Sequence, residues 1–327
     1  MKETPPVGLD SVSIRLAQIF NGQEPTTALS DEGSGLEFEP DLKIQPLDLS
    51  EQDPPQAWAI DGGQLQILDA RSIQVVATRA SRVCFSQKKR VFEEQGPLHL
   101  SLLGGTQSIQ EAKEWKIALA LGEVLDTKLL REYLEWKALA KTIDDSVEKA
   151  IVFKDGQLRP DDRIEIDQVV SLLEKAQEKD ILLVGFSKQS SLSKGSMPLL
   201  AWLSNEASQM FDTTRWWCPV ATYSIGGQKI RVVAAKLDSL SRFSFRIDFP
   251  AYLDPCFVLN TIRAVSNDVG FPGYPYPLSV ADQLATCPSW LSQEIKQLID
   301  DSLDKQGIPL QLREAAFFDR HELMERL

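Results

Sequence analysis

The spacing of apolar positions changes along the chain, and each change marks an element. Residues 1 to 56 hold only short apolar patches, such as Val12 to Phe20, among Pro, Gly, Ser and acidic residues. That pattern predicts one short helix and then a long irregular arm. At Ala57 the character shifts: Trp58-Ala59-Ile60 runs into Asp61-Gly62-Gly63, and the β-branched stretch Ile73 to Thr78 follows. Two or three adjacent strands are expected, with a sharp glycine turn directly after Asp61. Between Ser108 and Lys149 there is no proline and one glycine, Gly122, while Leu125, Leu129, Leu130, Leu134 and Leu139 recur at helical spacing. One long helix or two abutting ones are predicted there.

Ala150 to Phe153 reads as a strand that ends at Lys154-Asp155-Gly156, and an amphipathic helix is expected over 163–178. Ile181 to Phe186 is a continuously apolar strand of the kind covered on both faces. A helix over Leu199 to Met210 precedes strands at about 219–224, 230–236 and 242–249, and a helix at about 254–268 follows. A Gly/Pro turn at 270–277, a helix over 278–286 and a charged helical tail complete the chain. The order implies a mixed α/β sheet with helices on both sides. In the tail, Leu291, Ile295, Leu298, Ile299 and Leu303 form an apolar stripe that must pack on this chain's own core or on a partner.

Composition narrows the function. A chain of 327 residues with 43% apolar content can bury a sizeable core. Its net charge of −12 excludes a generally basic nucleic-acid binder, so any contact with a phosphate backbone needs a local basic surface, a metal or a partner. The densest basic run is Arg79, Arg82, Lys88, Lys89 and Arg90, which reads either as a solvated face or as a backbone track, and acidic residues of the arm, among them Asp31, Glu32, Glu37, Glu39 and Asp41, could mask it. Cys84, Cys218, Cys256 and Cys287 are widely separated, with no CxxC pair, and are expected to be buried free thiols. No apolar run approaches the roughly 20 residues of a membrane span, and a cytoplasmic location is expected.

Carboxylates are the chemistry this chain offers, since His99 and His321 are its two histidines. Asp61 and Asp155 share one grammar, an apolar strand followed by glycine. Each Asp-Gly alone reads as a tight turn; together they suit a site for hard cations such as Mg²⁺ and Mn²⁺, which prefer oxygen ligands. Lys188, just past a strand, is placed either to meet a phosphate or to be solvated. Arg246 and Asp248 alternate on one strand and are expected to pair. Tyr274 and Tyr276 would either stack on an unpaired base or pack the turn onto the body.

Several segments together resemble the NurA domain family: Trp58-Ala-Ile-Asp61-Gly-Gly, Leu130-Arg131-Glu132-Tyr-Leu-Glu135-Trp-Lys-Ala-Leu, Val152-Phe-Lys-Asp155-Gly, Val184-Gly-Phe-Ser-Lys188, Phe245-Arg246-Ile-Asp248 and Gly273-Tyr-Pro-Tyr-Pro-Leu-Ser-Val-Ala-Asp282. The resemblance implies a ribonuclease-H-like fold and a Mn²⁺- or Mg²⁺-dependent DNA nuclease, dimeric and partnered with a HerA-type hexameric ATPase in DNA-end resection. Under it, Asp61, Asp155 and Asp282 match metal ligands, and a helical glutamate completes the set. Glu135 and Glu132 both qualify, with Glu135 preferred, and Lys188 joins the site as a catalytic cation. Gly63 departs from the small hydroxyl residue often found after the Asp-Gly, and Asp282 stands where the family can have histidine. The implied layout is an arm over 1–56, a nuclease domain over 57–290 and a helical extension over 291–327. The other readings are a NurA-like subunit without catalysis that docks a translocase, and an actin-like phosphotransferase using Gly104-Gly105 and Gly226-Gly227 as phosphate loops.

Overall fold

A computed structural model of the chain describes residues 7–23, 28–31, 35–47, 53–120, 122–211 and 215–317; Glu32, Leu121 and His321 lie outside them. In chain order the elements are α1 (Leu9–Phe20), β1 (Leu29–Ser30), β2 (Glu37–Phe38), β3 (Gln45–Pro46), β4 (Ala57–Asp69), β5 (Gln74–Ser86), β6 (Lys89–Gln95), β7 (His99–Leu103), α2 (Gly105–Trp115) and α3 (Thr127–Asp145). There follow β8 (Ile151–Asp155), α4 (Ile166–Glu178), β9 (Leu182–Ser187), β10 (Ser193–Lys194), β11 (Met197–Pro198), α5 (Leu199–Met210), β12 (Trp216–Ile225), β13 (Gln228–Lys236) and β14 (Phe245–Pro250). The last helices are α6 (Pro255–Ala264), α7 (Tyr276–Ala285), α8 (Ser289–Lys305) and α9 (Leu310–Phe317). The chain forms two compact units, one of Met1–Asp53, Gly156–Leu158 and Val184–Tyr276, the other of Pro54–Asp155, Arg159–Leu183 and Pro277–Leu327.

In the second of these units the strand order is β8-β4-β5-β6, and β7 pairs with the other half of β5. β4 and β8 run parallel, with Ala57 opposite Ile151 and Ile60 opposite Lys154. β4 and β5 form a long antiparallel pair in which Asp61 faces Ser81. Here the structure departs from the expected turn, because β4 does not stop at Asp61 but continues for eight more residues, to Asp69. The two glycines serve packing instead. A Cβ on Gly62 would lie 2.6 Å from Cγ of Arg131 and closer still to Oε1 of Glu135, both on α3. A Cβ on Gly63 would lie 2.7 Å from the carbonyl carbon of Ala285 at the end of α7. Neighbouring strand residues point to opposite faces, so α3 and α7 press on the two sides of β4 at successive positions.

The rest of the unit obeys the same division. Arg82, opposite Ile60, reaches Asp145 of α3 at 2.8 Å, whereas Ser81, opposite Asp61, donates its hydroxyl to the carbonyl of Ala281 in α7 at 2.7 Å. The C-terminal stripe packs on the chain's own strands: Ile295 joins Ile67 and Ala77, with Leu291 and Ile299 beside them. Leu298 is left 63% exposed. Where one long helix or two abutting ones were expected there are two helices, α2 and α3, separated by residues 116–126; Asp126 caps α3 by accepting from the Leu129 N–H at 2.8 Å.

In the other unit the strand order is β2-β12-β13-β14-β9. The arm, expected to be irregular, adds β2 and β3 to β12, and Gly226 and Gly227, both at positive φ, close the β12–β13 hairpin. The Arg246–Asp248 pair forms as expected and is fully buried. Arg246 Nε lies 2.9 Å from Asp248 Oδ1, its Nη1 lies 3.0 Å from Asp31 Oδ2, and the Tyr223 hydroxyl donates to Asp248 Oδ2 at 2.9 Å. Burial works against the guanidinium charge, but Asp248 and Asp31 outweigh it and hold Arg246 above its ordinary pKa.

Cys84 and Cys218 are buried thiols, their pKa values pushed up to about 12 by burial, while Cys256 is exposed and Cys287 half-buried, so the expectation of four buried thiols holds for two. No helix among the described residues is long and apolar enough to cross a membrane. The contact at Gly63 yields a direct test. Gly63→Ala, which drives a methyl into a backbone carbonyl group, is expected to destabilise the protein by about 3 kcal/mol in urea denaturation. A loss below about 1 kcal/mol would mean that α7 can shift away at little cost.

Candidate metal centre

Two aspartates, Asp61 and Asp155, belong to one face of the strands described above, and a third, Asp282, sits on the helix α7 that packs there. Asp61 sits in mid-strand, 5% exposed, and its Oδ1 accepts from the Gly62 N–H at 2.7 Å. Asp155 ends β8, one position past the registered pair Ile60 and Lys154. It therefore lies beside Asp61 on the adjacent parallel strand, and strand alternation turns both side chains to the α7 side. Asp282 is exposed on α7, next to Ala281, whose carbonyl receives the hydroxyl of Ser81, the cross-strand partner of Asp61. Among the described residues no three His, Cys, Asp or Glu side chains form a ready-made metal cluster. What the fold supplies is a common face for Asp61 and Asp155, with α7 packed against it.

Glu135 approaches Gly62 from the α3 side. Its side chain is buried, Oε2 accepts from Lys154 Nζ at 3.0 Å, and Oε1 pairs with Arg131 Nε at 3.3 Å. Glu132, the other helical candidate, is occupied elsewhere: its Oε1 accepts from the indole N–H of Trp136 at 3.2 Å and from the Asp161 N–H at 2.9 Å. Sequence reasoning did not single out Lys154. It is 3% exposed, donates to the Asp155 carbonyl at 3.0 Å and lies 5.3 Å from the centre of the Trp136 ring. Burial opposes its charge, but Glu135 above all, then Glu132 and Asp155, outweigh that and raise its pKa above the usual lysine value. The available signal was a lysine in the otherwise apolar run Ile151-Val152-Phe153.

The remaining candidates are placed as follows. In the other unit, Lys188 follows β9, its ammonium 5.4 Å from the centre of the Tyr274 ring. Tyr274 is 1% exposed and packs with Phe186, Phe245 and Phe271, so it serves the core, not a base stack. Burial raises the phenol pKa of half-buried Tyr276. The basic run does not form one surface. Arg79 and Arg82 are buried, Arg82 is bound to Glu94 and Asp145, and Lys88, Lys89 and Arg90 are exposed near the β5–β6 turn.

The donor set suits a hard divalent cation. Asp61, Asp155 and Asp282 offer oxygen alone. Fold and site together define a ribonuclease-H-like α/β protein, a mixed sheet flanked by helices, with strand-borne carboxylates. A NurA domain family model matches residues 125–286 of this chain. The crystal structure of the NurA nuclease from Sulfolobus solfataricus superposes over 92% of this chain and 95% of its own, at 16% identity and a TM-score of 0.59. The catalytic domain of human endonuclease V covers 93% of this chain and 100% of its own, at 13% identity and a TM-score of 0.40. No curated protein matches the sequence.

The two helical glutamates are separable by stability. Glu132→Gln keeps an acceptor oxygen for its two donors and should cost about 1 kcal/mol. Glu135→Gln leaves Lys154 with an uncompensated buried charge and should cost about 3 kcal/mol or more in chemical denaturation without divalent ions. Equal losses would contradict the different environments assigned to them.

Proposed function

We propose that this chain is a divalent-metal-dependent deoxyribonuclease acting at DNA ends in DNA repair, as a cytoplasmic homodimer beside a HerA-type hexameric ATPase. The observation that carries the reading is the shared face of Asp61 and Asp155 under α7, the helix that bears Asp282, in a chain matched by the NurA domain family. The similarly folded Sulfolobus protein, itself named a nuclease, adds support.

In this reading Asp61, Asp155 and Asp282, with Glu135 from α3, hold Mn²⁺ or Mg²⁺. Such an ion supplies Lewis acidity and lowers the pKa of bound water near a phosphodiester. The chain's own groups do the positioning. The Gly62 N–H fixes one oxygen of Asp61, and Arg131 and Lys154 fix Glu135. A total charge of −12, with Arg79 and Arg82 of the basic run buried, implies weak, salt-sensitive DNA binding, so processivity falls to the ring partner. One observation favours the second reading, a docking subunit without catalysis: both oxygens of Glu135 already meet cations.

A cleavage assay on labelled linear DNA with Mn²⁺, Mg²⁺ or chelator decides between them. Asp61→Ala and Asp155→Ala should each abolish metal-dependent cleavage while the protein stays folded, and Glu135→Gln should lower activity far more than Glu132→Gln. A parent protein that leaves DNA intact under all conditions supports the docking subunit.

The oligomer has its own test. Leu298 is the exposed member of the α8 stripe, with Trp290 of the same helix 62% exposed. Light scattering is expected to give a dimer that Leu298→Glu dissociates; a monomeric parent at micromolar concentration would exclude the homodimer.

A further inference from the structure

Lys154 sits where a buried cation needs an explanation. Its side chain leaves β8 on the α3 side, opposite Asp155, and its ammonium is enclosed by Glu135 Oε2, the Asp155 carbonyl and the Trp136 ring. Removing an ammonium from water costs several kcal/mol, which only close partners offset. Arg131 holds the other oxygen of Glu135, so two cations neutralise the one carboxylate that α3 brings to Gly62. A divalent ion that draws on Glu135 must therefore share or displace the ammonium. The Lys154 backbone is held in a strand paired with β4, which keeps its ammonium within reach of Glu135.

We propose that Lys154 is a positioning residue that competes with the divalent ion for Glu135: it holds the carboxylate against Gly62 in the metal-free protein and weakens metal binding in exchange. The inference rests on the metal-site reading above. It predicts two effects of opposite sign when the charge is removed. Metal-free stability falls, because Glu135 loses its partner. Metal affinity rises, because a competitor and a repelling charge have gone. A lysine with a purely structural role would lose both together, since an unpositioned carboxylate is a poorer ligand.

The test uses the full-length chain without DNA, stripped with chelator and titrated with Mn²⁺ while free Mn²⁺ is followed by electron paramagnetic resonance. Unfolding by urea is measured in parallel with chelator present. Lys154→Met is expected to bind Mn²⁺ at least about tenfold more tightly, which corresponds to about 1.4 kcal/mol, while unfolding at lower urea than the parent. Lys154→Arg should behave like the parent, and in a Glu135→Gln background Lys154→Met should leave Mn²⁺ affinity unchanged. If Lys154→Met does not fold, Lys154→Gln, which keeps a donor without the charge, takes its place. A folded neutral variant that binds Mn²⁺ no more tightly than the parent overturns the proposal, as does a gain that persists without the Glu135 carboxylate. If the parent binds Mn²⁺ and Asp61→Ala does not, the metal-site reading stands whatever Lys154 does. A parent that binds no Mn²⁺ ends both.

Discussion

The constraint on which the carboxylate-bearing unit depends is the absence of side chains at two successive positions of its central strand. At Gly62 the backbone of β4 meets α3, and at Gly63 it meets the end of α7, each at a distance that no Cβ would allow. Helices normally stand about 10 Å from a sheet because side chains intervene. Here two helices come closer on opposite faces, and both carry candidate ligands, Glu135 on α3 and Asp282 on α7. The sequence order Asp-Gly-Gly thus ties a carboxylate to the two contacts that bring the others near.

Electrostatics follow from that closeness. Glu135 can be buried beside Gly62 only because Lys154 and Arg131 neutralise it, and Lys154 can be buried only because Glu135 and a strand carbonyl receive it. Neither charge would be tolerated alone, which makes the pair a matter of placement more than of net stability. The other unit repeats the arrangement with different residues. Arg246 is satisfied there by Asp248 and Asp31, and Tyr223 takes up a further carboxylate lone pair. The Asp31 contact also explains why the arm is ordered at that point despite a composition rich in loop formers.

How much of this was legible in the sequence depended on whether a signal was local. Apolar periodicity located β8, α4, β9 and α5 to within a few residues, because each has one buried face or a continuously buried run. The Asp-Gly-Gly segment was misjudged, since glycine after Asp is a turn signal locally and its true cause is a helix more than sixty residues away in sequence. Glu132 and Glu135 could not be separated by spacing alone, as residues three apart share a helix face; their partners Asp161 and Lys154 come from other segments. The basic run dissolved for the same reason. Arg79 and Arg82 are an odd number of residues apart on one strand, so they point to opposite faces, and Arg82 meets carboxylates of β6 and α3.

The same reasoning bears on how an acidic chain would handle a polyanion. Several of its cations are spent internally: Lys154 and Arg131 on Glu135, Arg82 on Glu94 and Asp145, and Arg246 on Asp248 and Asp31. These four cations meet five carboxylates, so their pairing leaves the rest of the chain acidic. Long-range attraction to a phosphate backbone is therefore weak, and under the proposed function recognition would rest on short-range coordination at the aspartate face. In that proposal, needing an ion and a substrate end together would confer selectivity, and holding long DNA would fall to the partner.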